Sequence, residues 1–310
     1  MSKITIGVDI KTPYQLLSFF SYIDYINSDV NKIFVKNLEA MNHLVKSFKD
    51  LFEIFNCEVI GYENDDDLLD FIKKTDSKDI KLVSVNFPKY KFSFKKINLV
   101  IISDGLSSYP SFLSMFYNFK RANRDISLLN LFVKFYTEKL LSKFIKFDEF
   151  FLFNKSNLKP NRDYINSFRR VISLSRGKYQ PHLKNKSFIF IGQPLVKLGI
   201  MDKESYDGFI YRAQNIAKEK GLDFYYKPHP LECELNNRSF NVIDSGDLTI
   251  EEFCYIEKNV DSICSFYSTA LITIPELLNI NSYRFTPKIE NLLFSNKQKI
   301  LLSKVEILEK

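Results

Sequence analysis

The sequence predicts an α/β protein built from two successive parallel sheets, on three observations. Short apolar runs alternate with amphipathic stretches from residue 4 to residue 103. A polar, basic interval follows, running from Asn154 to Arg162 and again from Ser175 to His182. The alternation then restarts at Ser187 and continues to Leu278. Strands alternating with helices are the signature of βαβ units, and 310 residues suffice for two domains with a core each. The expected domains are therefore 1–175 and 176–310, divided at the polar interval.

In the first half, residues 4–8 read as a buried strand. Thr12-Pro13-Tyr14-Gln15 starts a helix, with Thr12 as cap, Pro13 at the first position and Gln15 closing a capping box; the helix runs to about Ile26. Next come a strand over Lys32–Val35 and one helix over Leu38–Phe55, with Leu44, Phe48, Leu51 and Phe55 at helical spacing. His43 lies on that helix as a surface or boundary residue. A strand at Cys57–Ile60, an acid-started helix at Asp65–Lys74 and a strand at Lys81–Val85 follow. Ile97–Ser103 is the most continuous apolar run of this half and reads as a central parallel strand, with Asp104-Gly105 where it ends. Ile126–Ile145 reads as a long helix with Leu128, Leu131, Phe132, Phe135, Leu141 and Phe144 on one side, punctuated by Lys134, Lys139, Lys143 and Lys146. The preferred reading is a packing helix with a solvated basic face; the sharper one is a surface resting on anionic lipid headgroups.

Phe150–Phe153 reads as a strand before the polar interval. Beyond it, the strand Ser187–Ile191 ends in Gly192-Gln193-Pro194-Leu195, and the helix Ser205–Lys220 stops at Gly221. The strand Asp223–Lys227 delivers His229 into a loop between Pro228 and Pro230, and Phe240–Ile243 is a short strand. Thr249 and Glu252 form a capping box for a helix ending near Glu257. Ser262–Phe266 is a strand, and Ser268-Thr269 starts a helix running to Leu278.

Composition narrows the class of function. No stretch approaches the ~18 uncharged apolar residues of a membrane span, and the start of the chain reads as a first strand rather than a signal peptide. The scattered cysteines Cys57, Cys233, Cys254 and Cys264 suit a reducing cytoplasm, and with only three histidines a zinc site is not expected. The net charge of +7 favours an anionic partner. Basic residues are spread along helices rather than clustered with exposed aromatics, which argues against nucleic acid. There is no Walker loop, no GxGxxG and no HxxEH.

Ligands of open α/β sheets collect outside the carboxyl ends of the strands, where Asp104, His229 and Ser268-Thr269 are placed. Taken singly, these are an Asp-Gly turn, a turn histidine and an ordinary helix cap. Taken together, they supply a base, an acid and a phosphate cradle of hydroxyls at a helix start. A carboxylate can deprotonate an acceptor hydroxyl while the histidine protonates a departing phosphate, as an inverting group transfer requires.

The ordered trio Ser103-Asp104-Gly105, Lys227-Pro228-His229-Pro230 and Ser265-Phe266-Tyr267-Ser268-Thr269 resembles the bacterial sialyltransferases with acidic-Gly, His-Pro and Ser-Ser/Thr motifs. Among them it looks most like glycosyltransferase family 52, the lipooligosaccharide sialyltransferases and their capsule relatives. Lys11-Thr12-Pro13-Tyr14-Gln15-Leu16-Leu17 and the Gly192-Gln193-Pro194-Leu195 turn are similar to that family too. The resemblance implies a GT-B fold of two Rossmann-like domains facing a central cleft, CMP-sialic acid as donor, inversion, and no metal or other cofactor. It implies Asp104 as general base and His229 as general acid. It places the CMP phosphate at Ser268 and Thr269, near Lys227 and Pro228, with Gly192, Gln193 and Pro194 against the donor. It assigns the ribose to the Glu251-Glu252 pair, with Glu251 preferred because Glu252 caps its helix. One position departs from the family pattern: Ser103 stands where the first acidic residue is usual. The expected partner is a surface-glycan acceptor, lipooligosaccharide or capsule, ending in galactose. A homodimer is implied, as is a cytoplasmic location with peripheral contact on the inner face of the bacterial inner membrane. The alternatives are a polysialyltransferase, a glycerophosphotransferase of the teichoic-acid type, and a basic α/β binding module without activity.

Overall fold

The structure is a computed structural model and describes residues 4–75, 80–86, 97–112, 115, 127–144, 146–175, 181–229, 231–232, 240–245, 248–286 and 294–308. The chain separates into two compact units, residues 1–108 with 136–179, and residues 109–135 with 180–310.

The first unit is built on a six-stranded sheet in the order β3-β2-β1-β4-β5-β6, formed by β1 (Ile4–Val8), β2 (Val30–Val35), β3 (Cys57–Gly61), β4 (Ile80–Ser84), β5 (Ile97–Ile102) and β6 (Phe147–Phe150). Every pairing is parallel. Its helices are α1 (Pro13–Ile26), α2 (Leu38–Ser47), α3 (Lys49–Ile54), α4 (Asp65–Lys74), α5 (Leu128–Phe144) and α6 (Arg162–Leu174), the division between units falling within α5. Thr12 caps α1 by accepting the Gln15 N–H at 3.2 Å. The Gln15 side chain, however, reaches one residue past the cap and accepts the Lys11 N–H at 2.9 Å, so no capping box closes. Tyr164 of α6 ties the two helices of one face together, its hydroxyl lying 2.8 Å from Ser18 Oγ and 3.1 Å from the Tyr14 hydroxyl.

Four further expectations need correction. The helix expected over 38–55 is two, because Phe48 leaves helical geometry (φ −112°, ψ 26°) to bury its ring. β5 is the penultimate strand rather than a central one; it reads as continuously apolar because its last four residues are buried. The strand expected at 150–153 ends at Phe150, and the buried Phe151, Leu152 and Phe153 lead into a bridge between Phe153 and Pro160. On α5, Leu131 is buried, but Phe132, expected on the packed side, is 44% exposed alongside Leu129, Val133, Tyr136 and Leu140. Pro230, Cys233 and the side chains of Leu128, Lys134, Leu141, Lys143, Phe144 and Lys139 lie outside the described residues. Among the described residues no helix is long and apolar enough to cross a membrane.

The second unit repeats the pattern. Its sheet has the order β12-β11-β10-β7-β8-β9, from β7 (Ser187–Ile191), β8 (Asp223–Lys227), β9 (Asn241–Val242), β10 (Val260–Ser265), β11 (Asn281–Arg284) and β12 (Glu306–Ile307), again all parallel. Numbered from its own first strand this is the same order as the first sheet, the doubly wound Rossmann arrangement. Helices α7 (Lys203–Glu219), α8 (Ile250–Ile256), α9 (Ala270–Leu278) and α10 (Asn296–Leu302) accompany it. The elements α6, β11, α10 and β12 were not expected from the sequence. Phe190 of β7 is fully buried and its ring meets Tyr206, Tyr226, Phe266 and Phe285. Phe190→Ala is therefore expected to cost about 3–5 kcal/mol by opening a cavity among four aromatic rings. Urea unfolding, followed by far-UV circular dichroism, measures it.

Candidate functional site

In the second unit the sequence-predicted residues gather at the carboxyl ends of β7, β8 and β10. Gly192, just past β7, donates its N–H to the Lys227 carbonyl at 2.8 Å. Ser265 Oγ, at the end of β10, donates to the Ile191 carbonyl at 2.7 Å. The Tyr267 N–H donates to Gln193 Oε1 at 2.9 Å, which brings the Gln193-Pro194 turn beside Ser268 and Thr269. Three loops separate in sequence are thus stitched into one surface.

His229 is oriented by its own loop. Its ring Nδ1 accepts the Leu231 N–H at 3.1 Å, so the neutral ring carries its hydrogen on Nε2. Burial holds its pKa below the usual 6.5, against the pull of Glu232, and the Lys227 charge adds to the lowering. Protonating the ring would also set an N–H against that of Leu231. Lys227 is shifted down as well, burial outweighing the attraction of Glu251.

Sequence reasoning missed Glu232. Its Oε2 accepts the His229 N–H at 2.7 Å, and its Oε1 accepts the Tyr206 hydroxyl at 2.6 Å and the Tyr226 hydroxyl at 2.7 Å. Tyr206 Oη in turn accepts the Gln193 N–H at 2.9 Å. Burial, followed by the neighbouring Glu232 for Tyr206, raises both phenol pKa values, so they remain donors. Gly192 is what admits this cluster: a Cβ there would lie 2.3 Å from Glu232 Oε2 and 2.5 Å from the Tyr226 hydroxyl. The available signal was a carboxylate three residues after the loop histidine, able to turn back onto its N–H.

At the start of α9, Ser268 Oγ accepts the Ala270 N–H at 3.3 Å, and Thr269 already has helical dihedrals. Ser268 is thus the residue that caps the helix. Glu252 closes the capping box expected of it: its Oε2 accepts from both the Thr249 N–H and Thr249 Oγ1, each at 2.9 Å. Its carboxylate is committed to its own helix start. Glu251 is 4% exposed; its Oε1 accepts the Thr273 hydroxyl at 2.6 Å, and burial raises its pKa.

Asp104 stands at the carboxyl end of β5 in the first unit. Its N–H donates to Ser108 Oγ at 2.7 Å, and the following Gly105 takes a left-handed φ of 61°, which turns the chain into the short 3-10 helix Gly105–Ser108. Gln15 Nε2 donates to Asp104 Oδ1 at 3.0 Å. Burial raises the Asp104 pKa, with the Gln15 bond opposing it, so the carboxylate is more basic than an exposed one. Ser103 is buried and its Oγ accepts the Gly105 N–H at 3.3 Å, a site where a charged side chain would be stranded. Gln15 was expected as a cap; its amide positions Asp104 instead.

Two Rossmann-like units with strand-end polar clusters define the GT-B class of fold. Residues 10–285 match the alpha-2,8-polysialyltransferase (POLYST) family, and the chain belongs to that family. No curated protein sequence matches the chain. Among solved structures it is similar to UDP-GlcNAc 2-epimerase from Methanocaldococcus jannaschii, at 12% identity and TM-score 0.53, covering 99% of this chain and 93% of that one. It is also similar to Arabidopsis thaliana UGT89C1 complexed with UDP, at 9% identity and TM-score 0.50, covering 99% and 86%. At such identities the likeness shows the fold.

Glu232→Gln is expected to place an amide NH₂ against at least one of three donors and to lower kcat/KM by about tenfold or more, equivalent to ~1–3 kcal/mol. The His229 ring resonances should shift in NMR spectra of the folded variant. A variant with unchanged ring resonances and unchanged kinetics removes Glu232 from the site.

Proposed function

We propose that the protein is an inverting, metal-independent sialyltransferase that moves sialic acid from CMP-sialic acid to a hydroxyl of a surface glycan. Membership of the polysialyltransferase family is the observation that carries this reading; the strand-end chemistry of each unit agrees with it. Asp104 takes the proton of the acceptor hydroxyl, whose oxygen forms the new bond to the anomeric carbon. The bond from that carbon to the CMP phosphate oxygen breaks, its electron pair leaves with CMP, and the His229 imidazolium protonates the phosphate. Ser268, Thr269 and the first turn of α9 hold the phosphate, helped by the helix dipole. Lys227 and Pro228 lead into that site, the Gly192–Pro194 turn lies against the donor, and the second oxygen of Glu251 takes the ribose. The family name favours a second reading of the acceptor, a chain already ending in sialic acid and extended by repeated transfer. A galactose-ended lipooligosaccharide or capsule acceptor is the first. Work at the inner face of the inner membrane and a homodimer belong to the same proposal.

Release of CMP from CMP-sialic acid in excess EDTA tests the reading; release from CDP-glycerol alone would replace it with the glycerophosphotransferase. His229→Ala should lower turnover by about 10²-fold or more with CMP binding retained, since its contribution is made in the transition state. Asp104→Asn should abolish transfer while CMP still binds. Near-normal turnover in either variant removes that residue from the mechanism.

The pH profile follows from the two shifts. Asp104 must be ionised and its pKa lies above 3.8; His229 must be protonated and its pKa lies below 6.5. In the free enzyme kcat/KM should therefore be bell-shaped and narrower than ordinary Asp and His values would give, falling with acid as Asp104 protonates and with alkali as His229 loses its proton. Bound phosphate stabilises the imidazolium, so the alkaline limb of kcat should lie at higher pH than that of kcat/KM. Coincident alkaline limbs would contradict the assignment of His229.

A further inference from the structure

The first unit holds a cavity of about 320 Å³ at the carboxyl ends of β1 and β2. Its floor is apolar, with Phe34 and Met41, and its polar lining is Asp9, Lys11, Lys36 and Asn37. The loop that shapes it is specified by the sequence. Asp9 adopts a left-handed φ of 60°, which aspartate tolerates better than most residues. The chain then folds Ile10 back onto Gly7, where a Cβ would lie 2.7 Å from Ile10 Cδ1 and 2.9 Å from Phe19 Cε2.

The cavity is one side chain away from Asp104. Gln15 accepts the N–H of Lys11, a lining residue, and donates to the Asp104 carboxylate. Both lining ammoniums already have counter-charges, Lys11 with Asp9 at 3.3 Å and Lys36 with Asp65 at 2.6 Å. A simple anion would have to share each ammonium with a carboxylate. What the lining offers instead is acceptors and donors side by side over an apolar floor. Hydroxyl groups, which donate and accept at once, match that pattern, and the C–H face of a pyranose matches the floor.

We infer that this cavity is the acceptor subsite, holding a hydroxylated pyranose by Asp9, Lys11, Lys36 and Asn37 with its ring over Phe34 and Met41. The inference rests on the sialyltransferase reading only for the word acceptor; the sugar site itself stands on the cavity. Galactose and sialic acid share the chemistry, and the test separates them.

Saturation-transfer NMR on the full chain, with methyl β-galactoside and methyl α-sialoside as probes, reads binding directly, with and without CMP. At least one glycoside should show transfer to its ring protons, and the stronger one identifies the acceptor class. Asp9→Asn, a change at a partly exposed side chain, and Met41→Phe, which narrows the cavity, should each weaken that binding about tenfold or more. In transfer assays they should raise the acceptor KM with kcat much less affected. No binding of either glycoside to the wild-type chain overturns the inference. So does unchanged glycoside binding in both variants, with melting curves confirming that they fold. Glycoside binding that depends on Asp9 and Met41, in a protein that never releases CMP from CMP-sialic acid, upholds the sugar site and defeats the donor reading. Transfer from CMP-sialic acid with an unchanged acceptor KM in both variants does the reverse.

Discussion

One carboxylate, that of Glu232, decides the geometry of the second unit's site. Three donors from β8, α7 and the loop after β8 converge on it, and Gly192 at the end of β7 leaves the room. A carboxylate is suited to this because its two oxygens accept several hydrogen bonds and it offers no competing donor. The backbone of His229 is held through its own N–H. Its ring is held through Nδ1, which accepts the Leu231 N–H and leaves the hydrogen of the neutral ring on Nε2. An amide or hydroxyl in place of Glu232 would meet at least one donor with a donor.

The first unit solves the matching problem with a neutral group. Asp104 is held by the Gln15 amide rather than by a cation, and this difference has a consequence for its basicity. A lysine or arginine beside Asp104 would stabilise the carboxylate by charge and lower its pKa, making it a weaker base. An amide donor fixes the oxygen while letting burial keep the pKa above that of an exposed aspartate. The buried Ser103 has a different part. An acidic residue there would raise the Asp104 pKa further by repulsion, at the cost of stranding a second charge in the core; the hydroxyl instead braces the Gly105 turn.

Much of this was legible in the sequence, and the parts that were not share a cause. Period, capping residues and breakers lie close together along the chain, so β1, α1, α4, β8 and the Thr249–Glu252 capping box read directly. The strand ends carrying Asp104, His229 and Ser268 followed from them. What did not read were contacts between distant residues. Gln15 had a local role consistent with its position, and its use on a residue 89 positions away could not compete with that. Glu232 carried no local periodic signal, and its partners Tyr206 and Tyr226 also pack their rings against Phe190 in the core. The helix break at Phe48 is likewise tertiary: buried apolar packing overrides a helical period that continues through it. The last strands were missed because Asn281–Arg284 and Glu306–Ile307 are short and largely polar, the second at the edge of the sheet and the first beside it, and both are specified by the sheet they extend.

The two candidate proton-transfer groups are shifted in opposite directions by the same physical cause. Burial disfavours charge, which raises an acid such as Asp104 and lowers a base such as His229. For the aspartate that shift works toward general-base catalysis. For the histidine it works against holding a proton in the free protein, and the Lys227 charge adds to it. In the proposed mechanism an anionic phosphate held at the start of α9 would offset both effects and stabilise a proton on His229. This makes the acid conditional on the donor. In the proposed mechanism His229 is a neutral hydrogen-bond donor until a nucleotide binds, and would then take up the proton that the leaving phosphate oxygen receives. Asp104 needs no such partner, because its basicity is set by its own burial and by Gln15.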